Sequence, residues 1–180
     1  MEHHCGRNYS QRNSCGTKHF PPRLACMANW LDDEEMKAWR GLVDVFADVE
    51  ASLGSELVES HGISSGDYAV LVALSEADAH RLRMCDLASI LHLSPSGLTR
   101  RLDGLVKKGF VSREPVPGDR RVTMAVLTHK GMTKLEKAAP IHVEGVRRHL
   151  LDHLTRTQIR QLGSVLSTVQ RRRLETAAHE

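Results

Sequence analysis

Apolar residues recur at steps of three and four positions over a long stretch in the first half of the chain. Asp32 and Glu35 precede it at the spacing of a capping box, which marks the start of a helix. The apolar residues of this helix share one face: Trp39, Leu42, Val43, Phe46, Val49, Leu53 and Leu57. Gly62 is expected to end the helix, and Ser64 with Asp67 opens a second one.

A second amphipathic stretch occupies the last third of the chain. Thr128 is expected to cap a helix that Pro140 kinks, and Thr155 with Gln158 forms another capping box. The apolar positions of these helices are Met132, Leu135, Ala139, Val143, Val146, Leu150, Ile159, Leu162, Val165, Leu166 and Val169. Long amphipathic helices at both ends of a small protein need a partner for their stripes, which predicts a twofold homodimer. The alternative is that the stripes pack only within one chain.

The segment between these helices has the pattern of a helix-turn-helix. Residues 86–91 predict a short helix, and residues 92–93 form the turn. Ser94 is a good N-cap, and Pro95 suits the first helical position because its missing N–H costs nothing there. The second helix ends just before Gly109, which supplies a left-handed cap. Two short helices joined by a tight turn are typical of DNA-binding units.

The second helix of this unit separates into two faces when its residues are projected at 100° intervals. Its core face holds Leu98, Leu102 and Leu105. Its opposite face holds Ser96, Thr99, Arg100, Asp103 and Lys107. Arg100 presents two donors that match guanine O6 and N7 in the major groove. Ser94, Ser96 and Thr99 suit phosphates or adaptable base contacts, and Lys107 extends the cationic part of this face.

A β-hairpin is expected to follow the second helix. Residues 110–114 and 121–127 are rich in β-branched and apolar side chains, and the segment between them is a turn-rich tip. Arg120 and Arg121 lie at this tip, where an arginine suits the narrow minor groove. Asp119 is expected to hold one of them by a charge-assisted hydrogen bond. The alternative for the tip alone is a solvated turn.

Composition and charge agree with a packed, DNA-binding chain. Of its 180 residues, 41% are hydrophobic and 26% are charged, which favours a folded domain. The net charge of +3 is uneven, because residues 81–121 contain nine basic and four acidic residues. Such a basic segment is typical of a module that binds a polyanion. The longest apolar run, 68–74, is too short to cross a membrane, and the polar start is unlike a signal peptide, so we expect a cytoplasmic location.

These observations divide the chain into four parts. Residues 1–28, with Cys5, Cys15 and Cys26, show no periodicity and are expected to be a disordered tail, or to precede a native start at Met27. The other expected parts are an N-terminal dimerisation helix over 29–62, a winged helix-turn-helix over 63–127, and C-terminal dimerisation helices over 128–180. The fold class is therefore mainly α with a small β-hairpin.

The sequence over residues 87–128 resembles the winged helix-turn-helix of the MarR family of bacterial transcriptional regulators. The most specific elements are the run LSPSGLTR from Leu93, the DRR tip from Asp119, and LTxxG ending at Gly131. The resemblance implies a homodimer that binds a pseudo-palindromic operator, usually as a repressor, and that a small phenolic or other anionic effector often releases. It also assigns two sets of residues: Ser96, Thr99, Arg100 and Arg101 to the recognition helix, and Asp119, Arg120 and Arg121 to the wing.

Two residues depart from the family pattern. Cys85 stands where the family usually has a Ser or Thr cap, and His92 stands in the turn where many such proteins carry glycine. A helix N-terminus favours a thiolate, so a redox sensor acting through Cys85 is one alternative. The favoured interpretation of Cys85 is a small buried core residue.

Three further hypotheses concern the function of the chain: that it is a metal sensor, that it is an enzyme, and that it has a ligand-binding cleft. His142, His149 and His153 do not share one helical face and lack a carboxylate cluster, so partial cover at a dimer surface explains them better than metal binding. No catalytic motif is recognisable, and neither a cofactor nor a metal is expected. Trp39, Phe46 and Tyr68 are candidates to line an effector cleft, with ordinary core packing as the alternative.

Overall fold

The computed structural model describes residues 30–116 and 119–177. The chain divides into two compact units, Met1–Asp48 and Val49–Glu180, with the boundary inside the first described helix. The expectations for the tail over 1–28 and for a start at Met27 lie outside the described residues.

The described elements follow the predicted order. The helices are α1 (Asp33–His61), α2 (Ser65–Glu76), α3 (Met84–Ile90), α4 (Pro95–Lys107), α5 (His129–His149) and α6 (Arg156–Ala177). The strands are β1 (Arg81–Arg83), β2 (Val111–Val116) and β3 (Asp119–Leu127), and short 3-10 turns cover Asp78–His80 and Leu151–His153. Among these described helices, none combines the length and the apolar character needed to cross a membrane.

In the first unit, the expected capping box at the start of α1 is confirmed. The backbone N–H of Glu35 donates to Asp32 Oδ1 at 2.8 Å, and the N–H of Asp32 donates to Glu35 Oε2 at 2.9 Å. Trp39 and Phe46 are 57% and 67% exposed, so their interpretation as ordinary core residues is wrong for the single chain.

In the second unit, side-chain caps fix where the helices start. The Asp67 N–H donates to Ser64 Oγ at 3.1 Å, and the Gln158 N–H donates to Thr155 Oγ1 at 3.3 Å, both as the spacing predicts. Gly62 adopts a φ of 64° directly after α1, which is the left-handed geometry that glycine allows. α5 continues through Pro140 as one helix.

The strands form a three-stranded antiparallel sheet in the order β1-β3-β2. The predicted tip was too long, because β2 extends to Val116 and β3 begins at Asp119. Pro115 is tolerated in β2 because this strand is an edge strand, where a residue without an N–H need not donate to a neighbour. The register shifts between Pro115 and Val116, which marks a bulge near the tip.

The core lies between α2, the helix-turn-helix and the sheet. Its fully buried leucines are Leu57, Leu71, Leu74, Leu87, Leu98, Leu102 and Leu105. Burial of the expected core face of α4 is therefore confirmed, and it fixes which face of that helix remains outside. On α6, by contrast, Val165 and Val169 are 60% and 51% exposed. The apolar stripe of α6 is therefore not packed within a single chain.

Gly131 brings α5 against the start of the hairpin. Thr128 Oγ1 accepts the Gly131 N–H at 3.0 Å and donates to the Gly109 carbonyl oxygen at 2.8 Å. A Cβ at Gly131 would overlap the carbonyl oxygen of Phe110 and lie 2.7 Å from Leu127 Cδ1. The absence of a side chain at this position therefore sets how closely α5 approaches the hairpin.

Glu56 connects α1 to α5 within the second unit. Its Oε1 lies 2.7 Å from His149 Nε2, and Arg148 Nη2 donates to its Oε2 at 3.2 Å. The hydrogen bond with His149, helped by the positive charge of Arg148 and opposed by burial, holds the pKa of the Glu56 carboxyl below its ordinary 4.5.

Glu56→Gln is expected to reduce the acid sensitivity of folding. A carboxyl whose pKa is lower in the folded than in the unfolded protein stabilises the fold at pH values above its ordinary pKa of 4.5. This contribution disappears as the pH falls through the lowered pKa of the folded state. Between neutral pH and this acidic range, the free energy of unfolding of the wild type should fall by up to about 1 kcal/mol more than that of the variant. The difference is small because the pair is partly exposed. Urea titrations at neutral pH and below 4.5 measure the difference, with Glu59→Gln on the exposed side of α1 as control. Parallel pH dependence of Glu56→Gln and wild type would contradict this role.

Candidate nucleic-acid interface

The helix-turn-helix consists of α3, the four residues 91–94 and α4. The Leu93 N–H donates to the Ala88 carbonyl oxygen at 2.9 Å and closes the turn. His92 has a φ of 51°, which confirms the unusual turn geometry expected from a non-glycine residue at this position. Ser94 Oγ accepts the Gly97 N–H at 3.1 Å, so Ser94 is the N-cap of α4 as predicted.

Two expectations about the start of this unit are wrong. α3 begins at Met84 instead of Asp86, so Cys85 lies within the first turn and Arg83 holds the N-cap position without a side-chain hydrogen bond. Cys85 is exposed, with its Sγ 3.5 Å from Asp86 Oδ1, and is not the buried core residue that was favoured. Exposure follows from position, because the neighbouring Leu87 and Ala88 supply the buried face of this short helix.

The outer face of α4 is polar and cationic. Ser94, Ser96, Thr99, Arg100 and Lys107 are all exposed. Among the described side chains, Arg100 and Lys107 have no hydrogen-bond or ion-pair partner, so both are available to a ligand. Thr99 Oγ1 donates to the Pro95 carbonyl oxygen at 2.9 Å. This face combines short side chains near the helix start with long cations further along.

Arg101 lies apart from its neighbours on α4. Its Nη1 is 3.5 Å from Ser64 Oγ and 3.9 Å from Asp67 Oδ1, at the start of α2. The family resemblance groups Arg101 with the recognition residues, but in the structure its guanidinium reaches toward α2, away from Arg100.

Arg113 on β2 contacts the outer face of α4, which the sequence analysis did not predict. Its Nη1 lies 2.7 Å from Asp103 Oδ1, and its Nη2 donates to the Thr99 carbonyl oxygen at 3.1 Å. These two bonds join the hairpin to the outer face of α4. The sequence did contain a signal, since Asp103 is an acid on an otherwise cationic face and needs a basic partner.

Asp103→Asn is expected to loosen the hairpin against α4 without unfolding the protein. The ion pair is partly exposed, so the loss in stability should be at most about 1 kcal/mol. Arg113→Gln should cost somewhat more, because it also loses the bond to the Thr99 carbonyl oxygen, and the double variant should be no worse than Arg113→Gln alone. Chemical denaturation of the four proteins measures this coupling. Fully additive losses would show that the two side chains act independently.

The wing is described in part. β3 begins at Asp119, and β2 is tied to β1 by Arg81 Nη2, which lies 3.5 Å from Glu114 Oε2. The side chains of Asp119, Arg120 and Arg121 lie outside what the structure describes, and so does the expected bond between Asp119 and one of the arginines. The backbone of β3 nevertheless places these residues at the end of the hairpin.

The three candidate ligand residues have different surroundings. Trp39 and Phe46 are exposed on α1, in the first unit. Tyr68, in the second, stacks on His142 with ring centroids 4.4 Å apart. Burial raises the pKa of Tyr68, and burial also lowers the pKa of His142 despite the opposing charge of Glu50. His142 is therefore covered within its own chain.

A separate cavity of about 320 Å³ lies near the junction of α5 and α6. It is lined by Arg147, Leu151, Asp152, Leu154, Arg156 and Ile159, and so by none of the three candidate ligand residues. In the part of the chain that the structure describes, no group of three His, Cys, Asp or Glu side chains could hold a metal ion. His149, one of the histidines considered for metal binding, instead pairs with Glu56.

Comparisons with known proteins agree with this geometry. The model of the MarR family matches residues 63–123. The HTH-type transcriptional repressor YetL of Bacillus subtilis is 30% identical over 125 residues, which cover 69% of this chain and 74% of YetL. AbsC of Streptomyces coelicolor, a MarR family regulator, is 35% identical with a TM-score of 0.74, covering 81% of this chain and 97% of AbsC.

A DNA complex is among the similar solved structures. Sco3205 of Streptomyces coelicolor, a MarR family regulator in complex with DNA, is 35% identical with a TM-score of 0.74. The match covers 78% of this chain and 92% of Sco3205. The relatives are named as regulators of transcription, and the solved structures of AbsC and Sco3205 share the fold over about four fifths of this chain. The chain belongs to the MarR family of winged helix-turn-helix transcriptional regulators.

Proposed function

We propose that this regulator binds a pseudo-palindromic operator as a homodimer and represses transcription. Each protomer inserts the outer face of α4 into the major groove and places the wing near the adjacent minor groove. The observation that carries this proposal is Arg100, which is exposed and has no partner among the described side chains, on a helix whose register is fixed by the Ser94 cap and the buried leucines. Arg100 recognises guanine, while Ser94, Ser96, Thr99 and Lys107 bind phosphate or adapt to bases.

The wing supplies the second contact in this proposal. Arg120 or Arg121 enters the minor groove, where a narrow groove concentrates negative potential, and Asp119 orients the arginine. The bonds from Arg113 to Asp103 and Thr99 make the hairpin and α4 act as one rigid surface. Binding by such a surface, and not catalysis, is therefore the activity we assign to the chain.

Selection of DNA by the purified protein tests the proposal. Sheared genomic DNA is incubated with the protein at near-physiological salt, and the retained fragments are sequenced. Enrichment of a short inverted repeat beside promoters is the expected result, and transcription from such a promoter should fall when the protein is added. Uniform recovery of all fragments, or a rise in transcription, would contradict operator binding or repression respectively.

The homodimer is proposed to form through the terminal helices, residues 29–62 and 128–180. The support is the exposed apolar stripe on α6, where Val165, Leu166 and Val169 are 60%, 40% and 51% exposed. A monomeric protein rarely leaves such a stripe in water. On α1, Leu42 and Val43 are also exposed.

Val169→Glu is expected to weaken the dimer. A carboxylate buried at the interface without a partner should raise the dissociation constant by roughly 30-fold, which corresponds to about 2 kcal/mol. Sedimentation analysis measures the shift from a dimer toward the 20.1 kDa monomer. Ser167→Glu, on the opposite exposed face of α6, is the matched control and should leave the dimer intact. Unchanged association of Val169→Glu would exclude this stripe from the interface.

Release by a small phenolic or anionic effector completes the proposal. Trp39, Phe46 and Tyr68 are the residues proposed to contact it. An effector can act only by binding the DNA-competent and DNA-incompetent states with different affinity. Operator binding measured across a panel of aromatic carboxylates and phenols tests this part, and Tyr68→Ala should abolish any response.

Regulation through Cys85 is the second candidate, and the exposure of this thiol favours it. Oxidation in the first turn of α3 would disturb the helix-turn-helix. Peroxide treatment should then abolish operator binding by the wild type and spare Cys85→Ser. Retained binding by oxidised wild type would dispose of this mechanism.

A further inference from the structure

Two cations of the recognition helix region bind the start of α2 instead of facing outward. Arg101 reaches Ser64 Oγ and Asp67 Oδ1 at 3.5 and 3.9 Å. Lys108, directly after α4, donates from Nζ to the Gly62 carbonyl oxygen at 3.2 Å and lies 3.5 Å from Asp67 Oδ2. The segment that precedes and starts α2, residues 62–67, thus binds two positive charges from α4 and from the residue directly after it. We call this segment the seat.

Gly66 provides the space for this seat. A Cβ at Gly66 would overlap the Nη1 and Cζ atoms of Arg101 and lie 2.7 Å from Nη2. The guanidinium therefore occupies the space that a side chain at this position of α2 would need, at a distance from the backbone that only glycine permits. Gly66 has an ordinary helical backbone, so the need for glycine comes from this approach and not from its φ.

Asp67 gives the seat its charge. The Asp67 side chain is only 18% exposed, against 32% for Arg101, so water screens their attraction less than it would at an open surface. Asp67 also completes the capping box with Ser64, which fixes its own orientation. A carboxylate held in this way favours one position of the guanidinium and hence one orientation of α4 relative to α2.

We propose that Arg101 is a positioning residue, which binds the Ser64–Asp67 turn and aims Arg100, instead of a residue that contacts DNA. The proposal rests on the proposed DNA-binding function and deepens it by separating two adjacent arginines. Base recognition depends on the angle of α4, because a bidentate bond to guanine tolerates little displacement. Phosphate contacts tolerate more, since they depend mainly on charge. Loss of the seat should therefore lower specificity and leave the electrostatic part of binding unchanged.

The salt dependence of DNA affinity separates a positioning arginine from a phosphate-binding one. Each phosphate contact contributes about 0.9 to the slope of log affinity against log salt, so a residue present twice in a dimer contributes roughly 1.8. We expect Arg101→Gln to keep the wild-type slope on both the selected operator and a scrambled duplex. Its preference for operator over scrambled duplex should fall by about tenfold. Lys107→Gln on the same helix is the comparison, and its slope should fall by roughly 1.8.

Gly66→Ala tests the same seat without removing a charge. The new methyl group displaces only the end of a flexible side chain, so the protein should fold, which thermal melting checks. We expect the same loss of preference as in Arg101→Gln, and no additional loss when both changes are combined.

Each outcome decides between defined accounts. A slope that falls equally in Arg101→Gln and Lys107→Gln would overturn the positioning role, because Arg101 would then bind phosphate. Wild-type preference in Gly66→Ala, or losses that add in the double variant, would also overturn it. A wild type that prefers no DNA sequence would instead refute the proposed function, and the positioning role with it.

Discussion

Arg100→Ala is expected to lower the affinity for the selected operator by about 1–3 kcal/mol per half-site, and so by about 2–6 kcal/mol for the dimer. Arg100 is exposed on α4 and has no ion-pair partner among the described side chains, so its full donor capacity is available to a guanine. Competition binding with operators that carry each base at the affected position measures the change. The variant should lose its preference at one base pair in each half-site.

Arg100→Lys is the matched control for this experiment. Lysine keeps the charge but lacks the planar pair of donors, so the variant should retain the salt dependence while losing most of the preference for guanine. Because Arg100 is exposed and has no ion-pair partner among the described side chains, both variants should have the melting temperature of the wild type. Equal operator affinity of Arg100→Ala and wild type would show that base recognition lies elsewhere.

Gly131→Ala is expected to destabilise the fold by about 3 kcal/mol, the upper range for inserting a methyl group into a packed contact. The clash is with the carbonyl oxygen of Phe110, which belongs to the backbone and cannot rotate away as a side chain would. Relief requires α5 to move from the hairpin, which would strain the Thr128 cap and its bonds to the Gly109 and Phe110 carbonyl oxygens. Urea denaturation measures the loss.

Gly163→Ala on α6 is the control for this substitution. A Cβ at Gly163 meets no atom within 4 Å, so the change should be neutral or stabilise the helix by up to about 1 kcal/mol. If Gly131→Ala were as stable as Gly163→Ala, α5 could not be held against the hairpin at this point. The comparison separates a steric effect from the general preference of helices for alanine.

The sequence was sufficient for features that depend on neighbouring residues. A capping box pairs side chains three positions apart, so Ser64–Asp67 and Thr155–Gln158 were recognisable from spacing, and Ser94 was recognisable as an N-cap because Pro95 follows it. The core face of α4 followed from helical periodicity for the same reason. The hairpin tip was misjudged at Pro115 because proline usually breaks strands, and only the edge position of β2 shows why it is tolerated here.

Contacts between distant segments could not be predicted from the sequence. Arg113 and Asp103 meet because the hairpin folds back on α4, and Arg101 meets Asp67 because the start of α2 lies next to that helix. Adjacent residues on a helix point about 100° apart, so the helical projection already left Arg101 off the outer face that holds Arg100, but it could not identify Asp67 as the partner of Arg101. The exposure of Cys85 similarly depended on a helix start two residues earlier than the sequence indicated.

Methylation interference on the selected operator tests the central proposal most directly, because a methyl group on guanine N7 blocks the bidentate contact assigned to Arg100. The proposal predicts interference at one guanine in each half-site, with the two sites about one helical turn apart and related by the symmetry of the dimer. It also predicts that Arg100→Ala makes binding insensitive to methylation at these two guanines while other contacts persist. Interference at a single unpaired position, or a pattern that Arg100→Ala leaves unchanged, would contradict recognition by two symmetrically placed copies of α4.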